Sequence, residues 1–186
     1  MKRRGMALAL GLLLTLATAH AAAATPGGWQ AVRAATARYN SFSEALRAGY
    51  SAVGEPCVES PGGAMGVHAV NAALASDLTI DPLRPEILLY LPDGDGKLRL
   101  VGVEYFQAAL VNTESGPAPW FGHDDPRDLG MTFFNPAPSV LGQAFDGPME
   151  GHNPSMPWHY DLHVWLWADN PAGTFAMFNP ALSCPA

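Results

Sequence analysis

Nine residues near the C-terminal end, His159-Tyr160-Asp161-Leu162-His163-Val164-Trp165-Leu166-Trp167, alternate between two chemistries with a period of two. In an extended strand Tyr160, Leu162, Val164 and Leu166 face one side, and His159, Asp161, His163, Trp165 and Trp167 face the other. A helix would set His159 and His163 one turn apart as a good chelate, but the Tyr, Val and Trp content and the alternation predict a strand. Neither face suits bare water, so the strand is expected between neighbours, its second face lining a cavity or lying beneath a loop. Along a strand, positions i and i+4 are ~13 Å apart at about 3.3 Å per residue. One ion would therefore take His159 or His163, with Asp161 as a candidate neighbour, and recruit its other ligands elsewhere. Buried histidines can also serve only as donors to backbone carbonyls, with an Asp accepting from them, so the pattern alone leaves a purely structural role open.

Other groups could join that face. His152 precedes it in a Gly- and Pro-rich loop where Met149, His152, Met156 and His159 interleave. His68 follows the glycine-rich run Pro61-Gly62-Gly63-Ala64-Met65-Gly66, which lacks the Lys and Ser/Thr of a phosphate-binding loop. Glu104 occupies the apolar file Leu98, Leu100, Gly102, Phe106, where an unpartnered carboxylate costs several kcal/mol. A histidine, a metal or an arginine such as Arg33 or Arg84 would satisfy it. The candidate metal ligands are thus His68, Glu104, His152, His159 and His163, with His123 a weaker one in the acidic run His123-Asp124-Asp125.

Residues 1–21 have the layout of a Sec-type signal peptide: Lys2, Arg3 and Arg4, the apolar run Met6 to Leu16, then small residues with cleavage possible up to Ala24. The apolar run is short for a membrane span, and no later stretch reaches that length. The expectation is an exported chain, periplasmic or secreted, with one globular domain over 25–186. Cys57 and Cys184 are then expected to pair as a disulfide. Of ten basic and 17 acidic residues the signal removes three basic ones, leaving seven and a net charge of −10 in place of −7. Such a surface argues against nucleic acid or an anionic membrane as partner.

Trp29, Val32, Thr36 and Tyr39 recur at helical steps, and Ser41 with Glu44 reads as a capping box before a second short helix that stops at Gly49. Val53–Gly66 reads as loop. Glu86–Leu91 and Leu98–Phe106 form a hairpin across Pro92-Asp93-Gly94-Asp95-Gly96-Lys97, a plain turn lacking the later ligands of a calcium loop. Thr113–Ser139 is a long Pro- and Gly-rich segment expected to act as a lid. The fold class expected is α+β: N-terminal helices packed on an antiparallel β-sheet, with one disulfide.

The segments Gly62–His68, Pro85–Tyr90, Gly102–Tyr105 and His159–Pro171 together resemble a family of small exported bacterial proteins to which no activity is assigned. The resemblance implies export and a single domain, and supplies no site residues.

Three functional readings follow. A metal-binding protein would use imidazole and carboxylate donors for zinc or copper(II), with thioethers adding affinity for copper(I). An exported enzyme would use a metal-bound water or a His/Asp acid–base pair. It would have no serine nucleophile elbow and no His-Glu-x-x-His motif. A metal-free module would present Trp120, Trp158, Trp165 and Trp167 to a small ligand. No nucleotide cofactor is expected; the partners are a metal ion or a small molecule.

Overall fold

A computed structural model describes residues 27–185. The signal-peptide expectation for 1–21 lies outside them. Among the described residues no helix is long and apolar enough to cross a membrane.

The N-terminal segment forms α1 (Gly28–Thr36), a 3-10 turn (Ala37–Asn40) and α2 (Phe42–Arg47), which bury Val32, Thr36, Tyr39 and Ala45. Gly49 ends α2 as expected. At φ 93° it lets Tyr50 N–H return to the Ala45 carbonyl at 3.0 Å. The capping box does not form: the Ser41 hydroxyl meets Ser43 Oγ at 2.9 Å, and the Glu44 carboxylate pairs with Arg47.

Ten strands follow: β1 (Cys57–Ser60), β2 (Gly63–Val70), β3 (Ile87–Pro92), β4 (Leu98–Ala108), β5 (Leu110–Thr113), β6 (Gly116–Pro119), β7 (Ser139–Val140), β8 (Gln143–Ala144), β9 (Asp146–Met149) and β10 (His159–Val164). A one-turn helix, α3 (Ala72–Ala75), sits between β2 and β3 with Asn71 as its cap. Six strands make one antiparallel sheet in the order β1-β2-β3-β4-β10-β9, while β5-β6 and β7-β8 are separate hairpins. The α+β expectation is met in part. The antiparallel sheet and the disulfide are present, but the sheet dominates and the helices are short.

Two strand assignments needed correction. The segment expected as loop from Val53 to Gly66 holds β1 and the start of β2, turning at Pro61-Gly62; β1 is only four residues long and flanked by Pro56 and Pro61, which hides it in the sequence. In β4 the strict alternation fails at Val101. Leu89 pairs with Gly102 but Tyr90 with Leu100, so Val101 is the extra residue of a bulge. Leu100 therefore joins Val103 and Tyr105 on one face, and Glu104 and Phe106 stay on the other. Gly102 has little choice of residue: a Cβ there would lie 2.9 Å from the Val164 carbonyl oxygen.

The first face of the sheet, carrying Leu88, Tyr90, Tyr105, Leu162 and Val164, packs against the N-terminal segment. Its tyrosine hydroxyls end on carbonyls of the covering chain: Tyr90 donates to Tyr39 and Tyr105 to Pro82, at 2.7 and 2.6 Å. Arg33 and Arg84 go elsewhere than to Glu104. The first donates to the Leu166 carbonyl and lies over the Trp167 ring, and the second pairs with Asp81. Trp167 has thus crossed to the helix side, contrary to the alternation, because β10 ends at Val164.

The second face carries Ile87, Leu89, Phe106 and Trp165 with the ionisable row. Pro117, Pro119 and Phe121 and the loop from His152 to Pro157 lie over it, whereas Trp120 and Phe133 of the long segment after β6 pack with the first-face core. Trp158 holds the start of that segment by donating its N–H to the Trp120 carbonyl and its indole N–H to the Gly122 carbonyl at 2.7 and 2.8 Å. Asp93 closes the β3–β4 turn by accepting from Asp95 and Lys97, as a plain turn does.

Cys57 and Cys184 form a disulfide across 127 residues, joining β1 to the tail. Closing so long a loop restricts the unfolded chain, with a contribution of about 2–5 kcal/mol. The Cys57→Ala/Cys184→Ala protein should accordingly show a thermal midpoint lowered by about 5–15 °C at 2–4 °C per kcal/mol, measured by circular dichroism against the oxidised wild type.

Candidate metal centre

Three strands of the sheet, β2, β4 and β10, deliver the ionisable side chains to one face. His163 on β10 pairs directly with Glu104 on β4, as Asp161 does with Phe106 and His159 with Ala108. His68 on β2 pairs with Leu89, whose own partner is Gly102, two residues along β4 from Glu104. Its imidazole reaches diagonally over β3. Gly66 prepares this: it sits at the β2 bulge with φ 95°, and a Cβ there would lie 2.4 Å from the Tyr90 carbonyl oxygen.

His68 Nε2 lies 3.2 Å from Glu104 Oε2, and His163 Nε2 lies 3.5 Å from the same oxygen. One ligand atom from each residue falls within 4.8 Å of the others. Glu104 and His163 are sealed, at 1% and 2% side-chain exposure, whereas His68 retains 13%. Neither Glu104 Oε2 nor His163 Nε2 has a partner in hydrogen-bond alignment. Bonds of about 2.0–2.1 Å in a tetrahedron set donor atoms about 3.3–3.4 Å apart, close to both measured separations.

The row continues beyond His163. Its Nδ1 faces Asp161 Oδ2 at 3.8 Å, and the same oxygen is 3.8 Å from His159 Nε2. His159 Nδ1 lies 3.1 Å from the Pro157 carbonyl and must be its donor, which leaves Nε2 of the neutral ring as an acceptor. Nε2 and both Asp161 oxygens are buried without partners. Phe106 stacks on His159 at 5.1 Å between centroids, and exposed His152 meets it edge-on at 5.3 Å.

Of the five expected ligands, His68, Glu104 and His163 converge on one point. His159 is one step removed behind Asp161, and His152 meets the His159 ring edge-on rather than the point where the three converge. Asp161, recognised in the sequence as a neighbour, links the two imidazoles of β10. His123 is exposed and paired with Glu150 at 2.5 Å, away from the row. Met149 lies across from His159 on β9. Trp158 and Trp165 are buried, and Trp120 and Trp167 pack against the core, so the four do not form an aromatic surface.

A cavity of about 780 Å³ lies between this sheet face and the covering segment. Val70, Ile87, Phe106 and Ala108 form its floor, Pro119 and Phe121 part of its roof. His68 and His152 line it; Glu104, Asp161 and His163 do not.

Comparison with protein-family models, curated proteins and solved structures finds no match. Functional inference therefore rests on the geometry of the row.

Its electrostatics are lopsided. Burial alone would push the Glu104 carboxyl up, but His163 and His68 outweigh it and hold it at about 2. For His68, burial would depress the imidazole, but the charge of Glu104 wins and raises it. His152 is lowered, first by burial and then by His159. Glu86, not singled out from the sequence, shows what happens without imidazoles. It is 1% exposed, accepts from Phe106 N–H at 3.1 Å and is pushed by burial to about 8.

These shifts fix signs. Depression of Glu104 stabilises the fold above the ordinary 4.5 and is lost as pH falls toward about 2, while the raised His68 stabilises fully below 6.5 and is lost above its folded value. The gap in thermal midpoint between metal-free wild type and Glu104→Gln should therefore be widest between pH 5 and 6.5 and shrink as pH rises above 6.5 through the raised value of His68. It should correspond to about 1–3 kcal/mol at its widest, the cost of leaving a buried polar group without its partner. Glu86 has the opposite sign: its contribution is present below 4.5 and lost as pH rises through about 8. Glu86→Gln, an isostere of the neutral acid, should raise the midpoint at pH 8 by a few degrees and leave it nearly unchanged at pH 4.5, in paired calorimetric scans.

Proposed function

We propose that this is an exported metal-binding protein that holds one divalent ion, zinc or copper(II), between His68 Nε2, Glu104 Oε2 and His163 Nε2. The observation that carries the reading is the convergence of three ligand atoms from three strands on one point, two of them buried with no aligned partner. Two imidazole nitrogens and a carboxylate oxygen form a donor set suited to both ions. The thioethers that would favour copper(I) stand elsewhere, Met149 opposite His159 and Met156 on the cavity wall. Asp161 supports the reading as the group behind His163 Nδ1, since a ligating imidazole commonly turns its other nitrogen to a carboxylate that orients it. Export rests on the signal-like layout of residues 1–21 and agrees with the disulfide.

A second reading, a metal-dependent enzyme, is favoured by one observation. Three protein ligands leave a coordination position free, as in catalytic zinc sites, and a cavity reaches the centre at His68. A bare His/Asp acid–base pair has less support, because His159 and Asp161 are at most 1% exposed and the cavity does not touch Asp161.

Chelator-stripped mature protein titrated with zinc and with copper(II) should take up one ion per chain, measured by elemental analysis after gel filtration. His163→Ala and Glu104→Ala should abolish stoichiometric uptake, Asp161→Asn should weaken it about 10–100-fold, and His152→Ala should leave it intact. Absence of a tight stoichiometric ion in the folded wild type would remove the reading.

A further inference from the structure

The cavity over the second sheet face has a chemistry that the metal centre does not explain. Its volume of about 780 Å³ falls within the range of small-molecule sites, and Val70, Ile87, Phe106, Leu110, Phe121 and Met156 give it an apolar wall. It meets the proposed centre at His68, the one ligand of the three that keeps exposure. A guest lying on Ile87 and Phe106 could thus bring one end to His68.

Charge selects among guests. The Glu104 and Asp161 carboxylates offset a divalent ion, and Glu55, on the cavity wall and close enough for its charge to act on His68, adds a further negative group. Among the described residues lining the cavity none is Lys or Arg. An anionic head would enter with no cationic partner other than an ion already balanced, and burying it would carry the cost of an unpaired charge. A neutral head with a single nitrogen or oxygen lone pair meets no such penalty.

We infer that the cavity binds a neutral, mainly apolar small molecule whose one nitrogen or oxygen donor occupies the free position of an ion held by His68, Glu104 and His163. The inference rests on the metal-binding reading above, and the test separates the two.

The probe is 4-phenylimidazole at pH 8, where its imidazole is neutral, with imidazole and phenylacetate as head-only and anionic controls. Calorimetric titration of zinc-loaded protein should give at least tenfold tighter binding of 4-phenylimidazole than of either control, and at least tenfold tighter than to zinc-free protein. In cobalt(II)-loaded protein the probe should shift the visible d–d bands, a signature that burial of the phenyl ring alone would not produce. Ala108→Trp, which fills the floor away from the ligands, should reduce probe affinity at least tenfold with zinc stoichiometry unchanged. Phe121→Ala, at an exposed roof position, gives the same direction without overpacking the core. Zinc that fails to load overturns the metal reading and this inference with it. Zinc that loads while the probe binds loaded and zinc-free protein equally, or while phenylacetate binds as tightly, overturns this inference alone.

Discussion

The carboxylate of Glu104, buried in an apolar sheet face between the imidazoles of His68 and His163, is the contact to which the rest of the second face is fitted. A charge there is tolerable only because its partners come from strands on either side, at 3.2 and 3.5 Å. This demands a strict register. A one-residue slip of β10 against β4 would turn His163 to the helix side and bring Leu162 or Val164 opposite the carboxylate. The two bulges have the same consequence: the one at Val101 restores Leu100 to the first core while keeping Glu104 on the second face, and the one beside Gly66 precedes His68. Covalent closure by the disulfide then ties edge strand β1, next to His68, to the tail.

Much of this was legible in the residues because it depends on period and turn chemistry. The alternation of His159–Val164 identified a two-faced interior strand, Asp93-Gly94 marked the hairpin, and Gly49 marked the end of α2. What was not legible depends on partners distant in sequence. The strict alternation assigned to Leu98–Phe106 could not reveal a bulge, since a bulge is a relation between β3 and β4 rather than a property of β4. Ser41 and Glu44 have the composition of a capping box, but Ser43 and Arg47 compete for the same side chains. The ligand set had the same difficulty. That His159 and His163 could not share one ion followed from strand rise alone. The choice of His163 required knowing that it, and not His159, stands opposite Glu104.

The row is dry at one end and open at the other. From His159 to Glu104 every ionisable side chain of the row is nearly inaccessible, and of His159, Asp161, His163, Glu104 and His68 it is His68 that lines the cavity. An ion at the His68 end would therefore be gripped from the sealed side and approachable from one direction, the division of labour a ligand-accessible centre needs. His152, exposed and edge-on to His159, stands against the sealed end and lines the same cavity as His68.

Glu86 provides an internal comparison that bears on whether the row is built for charge. Both it and Glu104 are 1% exposed on neighbouring strands of one sheet or its margin, and both face the same penalty for losing water. Glu86 has a single backbone donor and rises to about 8, so at neutral pH it persists largely as the uncharged acid. Glu104 has imidazoles on two sides and falls to about 2. The sheet can thus bury a carboxyl by neutralising it, and at Glu104 it does not. A fold requiring only a satisfied polar residue has the simpler solution available at Glu86. An ionised carboxylate kept between two imidazoles, with Glu104 Oε2 and His163 Nε2 lacking aligned hydrogen-bond partners, makes physical sense where a cation completes the set.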